Sequence, residues 1–195
     1  NLHATEDPDW VIIRATNRTY NWDTWHSGIT TTWASNMTVR LNDGSTLVSG
    51  RGPIFRDSAS DGFPKADGKI HINRAHIYST DATDEFICYA FKAVAGVSAF
   101  GTYNGGAGAI SCGFQPRWVM IKKINASATA SWNVTDVFRG FTAASGSGNY
   151  LSPDHAGAED ANANYGVELT STGFTPGTSD TIGGSGHTYI YCAFA

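Results

Sequence analysis

Charge is scarce in this sequence, and that scarcity narrows the reading before any motif is considered. Asp, Glu, Lys and Arg together supply 15% of the residues, against about 25% in an average soluble domain. The net charge of -4 offers no basic face, so nucleic acid is not expected as a partner. No apolar run approaches the ~18 residues of a membrane-spanning helix, so no membrane partner is expected either. The three cysteines (Cys88, Cys112 and Cys192) are odd in number and lack metal-ligand spacing. Buried free thiols, behaving as small hydrophobes, are expected in place of a disulfide framework. No secretory signal opens the chain, and a start at Asn1, a few residues before a strand, is that expected of a processed or partial product.

Catalytic signatures are missing as well. None of the six histidines stands in an H-E-x-x-H zinc pair, and no serine occupies a G-x-S-x-G elbow. The glycine clusters Gly105–Gly108 and Gly183–Gly186 do not sit between a strand and a helix, so a phosphate cradle is not expected. Glutamate is scarce. The acids a polysaccharide hydrolase would need in facing pairs (Asp57, Asp61, Asp67, Asp81, Asp84, Glu85, Asp154, Glu159 and Asp160) all fall in loop-like segments. No D-x-D-x-D-G calcium loop is present. No catalytic residue, metal or cofactor is expected.

What the sequence does contain is a repeat. Pro8-Asp-Trp-Val-Ile-Ile-Arg14 returns as Pro116-Arg-Trp-Val-Met-Ile-Lys122. Asn21-Trp-Asp23 is echoed by Ser131-Trp-Asn-Val134, and Phe86–Phe91 aligns with the run ending at Phe194. Trp118 follows Trp10 by 108 residues and Phe194 follows Phe91 by 103, so the strands keep their length while the loops between them vary. The Trp runs are continuous, apolar and entered through a proline, as expected of buried strands. Tyr20–Trp25 alternates aromatic with polar, which predicts a half-exposed strand. Thr38–Leu41, Asn42-Asp-Gly44 and Ser45–Val48 read as a hairpin, and Lys69–Asn73 as a further strand. Asp84–Phe91 reads as a buried strand, and Phe100–Tyr103 as an edge strand and turn. In the closing run, Tyr189, Tyr191 and Ala193 share one face and Ile190, Cys192 and Phe194 the other. Both faces are apolar, which predicts a central strand covered on both sides. Helical periodicity is hard to find, with at most a turn or two expected around Asp154 to Ala163.

These features predict an all-β fold of two tandem, related β-sandwich-like units, residues 1–96 and 97–195, with long Gly/Ser/Asn-rich loops. The loops differ most at Gly28 to Arg74 and Phe141 to Ala163, and function is expected there. Aromatic residues supply 12% of the chain. Trp25, Trp33 and Tyr103 lie among Asn, Asp and Thr, which makes them the candidates for stacking against a sugar ring, whereas Trp10, Trp22, Trp118 and Trp132 read as core.

Gly113-Phe-x-Pro-x-Trp-Val-Met-Ile-Lys122, Trp132-Asn133, Asp136-x-x-Arg-Gly140, Gly173-Phe174 and Tyr189–Ala195 together resemble a module of tailed-bacteriophage structural proteins. That module recurs in tail-fibre and virion-surface proteins, notably of marine phages, usually in tandem copies. Phe100 to Ala195 carries the whole pattern. The first half matches at Pro8–Arg14, Asn21–Asp23 and Phe86–Phe91, departs between Gly28 and Arg74, and lacks a counterpart of Phe100-Gly-Thr-Tyr103 before its Trp strand. The resemblance implies a non-enzymatic structural role at the virion surface, in a tail fibre or head-surface decoration. The implied partners are other virion proteins and further copies of the chain. Binding of host-surface glycans is the alternative, and polysaccharide hydrolysis a third reading. The missing counterpart predicts that the first half lacks one edge strand, which a preceding segment or a neighbouring subunit supplies by β-augmentation.

Overall fold

The computed structural model describes residues 8–29, 38–45, 83–125, 130–139, 148–162 and 164–195. Its described elements are all strands, paired antiparallel, as the turn-rich, charge-poor composition predicts. The chain divides into two compact units. The first comprises Asn1–Leu41 with Leu47–Lys92, and the second Asn42–Thr46 with Ala93–Ala195. The junction falls four residues before the expected one. Asn42–Thr46 joins the second unit because Gly44 O accepts from Ala130 N at 2.7 Å.

In the first unit, β1 (Trp10–Ala15), β2 (Asp23–His26), β3 (Val39–Arg40) and β4 (Phe86–Phe91) form one sheet in the order β3-β2-β1-β4. β1 is the buried spine that its apolar run predicts. β2 corrects the expectation of a half-exposed strand, since all four of its residues are buried. The Thr24 hydroxyl is satisfied there, since Trp10 Nε1 donates to Thr24 Oγ1 at 2.8 Å and that hydroxyl donates to Val11 O at 2.7 Å, and Asp23 Oδ1 lies 3.7 Å from Arg40 Nε. After β3 the chain turns through Asp43, whose Oδ1 accepts from Ser45 N at 2.6 Å. The return strand of the expected hairpin and the Lys69–Asn73 strand fall outside the described residues, wholly or in large part.

The second unit contains β5 (Ser98–Asn104), β6 (Ile110–Ser111), β7 (Trp118–Lys123), β8 (Asn133–Asp136), β9 (Gly148–Tyr150), β10 (Asp160–Asn162), β11 (Val167–Thr170), β12 (Gly173–Pro176) and β13 (Thr188–Phe194). The main sheet runs β5-β13-β7-β8, a second sheet β11-β12-β6, and β9 pairs with β10 in a two-stranded ribbon. Alternation turns Val119, Ile121, Tyr189, Tyr191, Ala193 and Tyr103 to one face, where they pack with Val167 and Phe174 of the second sheet and with Ile182. That is a sandwich-like core. β13 is central and buried on both faces, and β5 is an edge strand, both as the sequence predicts. Asp160–Asn162 is a strand and not the turn of helix expected there.

The repeat is visible in the ladders. Trp10, Val11, Ile12, Ile13 and Arg14 face Phe91, Ala90, Tyr89, Cys88 and Ile87. Trp118, Val119, Met120, Ile121 and Lys122 face Phe194, Ala193, Cys192, Tyr191 and Ile190 in the same register. On the other side, Ile13 faces Asp23 as Ile121 faces Asn133. Thus β2-β1-β4 and β8-β7-β13 are one three-stranded frame used twice.

The frames differ at one edge. β5 lies beyond β13, whereas among the described residues no strand lies beyond β4. β1 is flanked on both sides by strands of its own unit, so the expectation of a strand supplied to the Trp strand from outside does not hold; the edge without a neighbour among the described residues is that of β4. This overturns the expectation that Asp84–Phe91 is buried: Ile87, Cys88 and Tyr89 are all exposed. Cys88 is therefore not a buried thiol, although all three cysteines are unpaired with one another, Cys192 being buried and Cys112 half-buried.

Candidate functional site

The site is built in the second unit around the ribbon β9–β10, inside the long loop where the two copies differ. Leu151 ties this excursion to the main sheet by exchanging two hydrogen bonds of 2.9 Å with Val134. A turn follows in which Ser152 O accepts from His155 N at 3.0 Å. Asp154 Oδ1 accepts from Trp132 N at 3.0 Å, and His155 Nδ1 accepts from Gly157 N at 3.0 Å. The ribbon, this turn and Tyr165 enclose a concavity of about 440 Å³, lined by Ser131, Tyr150, Ser152, His155, Gly157, Ala158, Glu159, Asp160, Tyr165 and Thr181.

Two stacked rings form its apolar part. Tyr150 and Tyr165 lie with centroids 4.7 Å apart and planes 22° from parallel. Tyr165 Oη is 2.7 Å from Thr181 Oγ1, and Tyr150 Oη donates to Asp160 Oδ2 at 3.3 Å. Burial, with Tyr165 and Asp160 alongside, pushes the Tyr150 phenol up to about 12, so it remains a proton donor at neutral pH.

The acids are already engaged. Glu159 Oε1 accepts from Asn149 Nδ2 at 3.2 Å, and its Oε2 lies 3.1 Å from Arg139 Nε. Arg139 also pairs with Asp136. Asp160 Oδ1 accepts from Ala161 N at 2.8 Å. The carboxylates thus brace the ribbon, and around the rings stand hydroxyl, imidazole and carboxylate groups. A flat apolar surface ringed by such donors and acceptors can hold a polyhydroxylated ligand. Among the described residues, no three His, Cys, Asp or Glu side chains converge as a metal site.

The aromatic residues chosen from sequence are elsewhere. Tyr103 is 6% exposed, stacked on Tyr189 at 5.0 Å, and donates its hydroxyl to Ile182 O. Trp25 is 8% exposed, on the cross-strand position opposite Val11. Neither ring offers a face to a sugar, because each is spent on the interior. Trp33 lies outside the described residues, as do Asp57, Asp61, Asp67 and Asp81. Tyr150 and Tyr165 carry no periodic signal; they are isolated aromatics in Ser/Gly/Asn-rich sequence, and only the pairing of β9 with β10 brings Tyr150 to the concavity.

An all-β chain of two units sharing one frame is thereby defined. It belongs to the family described as Domain of unknown function (DUF7483), whose model matches residues 2–195 and so runs through both units. No curated protein and no solved structure matches the chain.

Proposed function

We propose that this chain is a non-enzymatic structural protein of a tailed-phage virion, carried on the virion surface in a tail fibre or head decoration and assembled with copies of itself. The observation that carries the reading is the doubled frame: β2-β1-β4 and β8-β7-β13 keep one register while their loops diverge. Such a scaffold keeps its spine and varies its surface, which suits a building block. The sequence resemblance supplies the virion context. The engagement of Glu159 and Asp160 in bracing hydrogen bonds counts against the hydrolase reading. Mass spectrometry of purified particles tests the proposal. The chain is expected among the virion proteins in stoichiometric amount, and its absence from intact particles would sink the reading.

Host-glycan binding is the second reading, favoured by the stacked Tyr150–Tyr165 pair in a polar concavity. It is compatible with the first, because a surface protein can do both.

A further inference from the structure

The edge of β4 is built to be paired. Thr16 N donates to Glu85 O at 2.8 Å, so by antiparallel alternation the N–H and C=O groups of Phe86, Cys88 and Ala90 point away from β1. At the equivalent edge in the second unit, β13 bonds to β5 along its whole length. Edge strands left to water are usually blunted by charge, proline or a bulge. β4, Phe86-Ile-Cys-Tyr-Ala-Phe91, has no charged residue and no proline, and pairs with β1 without a break in register.

Exposure is centred on the middle of the strand. Ile87 is 37% and Tyr89 46% exposed, whereas their equivalents Ile190 and Cys192 are both at 0%. Exposure falls on Ile87, Cys88 and Tyr89 and declines at Phe86 and Ala90, so it is symmetric about Cys88. Cys88 is also the middle of the three residues whose backbone groups point outward. A strand with those properties complements itself.

We propose that β4 is a dimerisation edge at which a second copy of the chain adds its own β4, antiparallel, about a two-fold axis passing at Cys88. Cys88 then faces Cys88 of the other copy in a hydrogen-bonded pair, with Phe86 opposite Ala90. Ile87 packs on the other copy's Tyr89, twice by symmetry, which covers both exposed side chains. Such an interface is isologous and closes at two copies. The absence of charge means that no like-charge contact opposes self-pairing. The inference deepens the assembly part of the proposed function, but its physical basis is the strand edge and not the phage resemblance.

The test is the mass of the full-length chain in solution, by light scattering across a concentration series. A dimer is expected. Ile87→Lys places a charge on the paired face, and Ala90→Pro removes one outward N–H without touching the β1–β4 ladder. Each is expected to weaken dimerisation about tenfold or more while the melting transition of the diluted chain stays cooperative. A short bismaleimide is expected to link wild-type chains through Cys88, and to fail with Cys88→Ser. A chain that is monomeric at every concentration overturns both this inference and the homo-oligomeric part of the proposed function. An oligomer that survives both substitutions and is not linked at Cys88 overturns this inference alone, because assembly then uses another surface.

Discussion

Lys122 holds its ammonium 5.4 Å from the centre of the Trp132 ring, and the first unit repeats the pair as Arg14 over Trp22 at 5.1 Å. In both units the cation is the fifth residue of the Trp strand, and the ring belongs to the residue just before its neighbouring strand. A cation over an indole face is stabilised by the ring quadrupole. The surroundings differ: Arg14 is half-buried, whereas Lys122 is fully buried. Its Nζ donates to Ala130 O at 2.5 Å, with Asp43 O at 3.5 Å. Burial lowers the Lys122 pKa to about 8, against the opposing pull of Asp154 and Asp43.

That shift makes stability depend on pH. Between pH 8 and 10.5 the folded chain has released the Lys122 proton while the unfolded chain keeps it. The unfolded state then binds more protons, so stability rises with pH across this window, by on the order of 1 kcal/mol per pH unit. Other groups pull the opposite way. The Cys112 thiol is pushed up to about 11, and the Tyr150, Tyr189 and Tyr191 phenols to about 12, so unfolding releases their protons and stability falls above pH 9 to 10. Denaturant titrations of wild type and Lys122→Met at pH 7.5, 8.5 and 9.5 separate the contributions. Relative to the variant, wild type is expected to gain stability with pH, and parallel profiles would sink the argument.

Tyr103 tests the correction of the sugar-stacking expectation. Its ring is enclosed by Tyr189, Phe174 and Tyr191, and its hydroxyl reaches Ile182 O. Tyr103→Phe is expected to cost about 1 kcal/mol of unfolding free energy, the net value of one buried hydrogen bond. Any glycan binding by the chain is expected to be unchanged, as read on a glycan array.

Much of the frame could be read from sequence because its signals are local and repeated. The proline-led apolar runs at Trp10 and Trp118 and the closing strands at Phe91 and Phe194 fix which strands pair. Exposure of β4 could not be read that way. Ile87 and Ile190 hold equivalent positions in the two ladders, and among the described residues only Ile190 has a strand such as β5 alongside. The site escaped for a similar reason. Tyr150 and Tyr165 are fifteen positions apart in loop-like sequence, and a cross-strand ribbon must form before they can meet. Lys122 was visible as the base ending its strand, but its burial depends on Ala130 and Asp43 arriving from distant segments.

Gly173 tests the second sheet. A Cβ built there would lie 1.8 Å from Ile110 O, a backbone atom of the paired strand β6 that cannot swing aside. Gly173→Ala is expected to push β6 from β12 and destabilise the chain by about 1–3 kcal/mol, the usual cost of overpacking. Phe174, the fully buried neighbour, would lose part of its packing with it. Thermal melts with hydrogen exchange at Ile110 and Cys112 report the outcome. Unchanged stability would mean that β6 is not held against β12 as described.

The concavity beside Tyr150 gives the sharpest functional test. If it holds a glycan, the stacked pair supplies the apolar surface and the bracing carboxylates supply acceptors, so removing one ring matters more than removing one charge. Tyr150→Ala is expected to weaken binding of a glycan-array hit about tenfold, because base- and ring-type stacking contacts are each of order 1–3 kcal/mol. Tyr165→Phe keeps the stack and loses only the contact to Thr181, so it is expected to weaken binding less. Since the Tyr150 phenol is pushed up to about 12, binding is expected to be insensitive to that group's titration between pH 6 and 9. Isothermal titration with the hit glycan reads all three. Equal losses in both variants would point to the hydroxyls as the recognition groups, and full affinity in Tyr150→Ala would remove the concavity from the glycan reading.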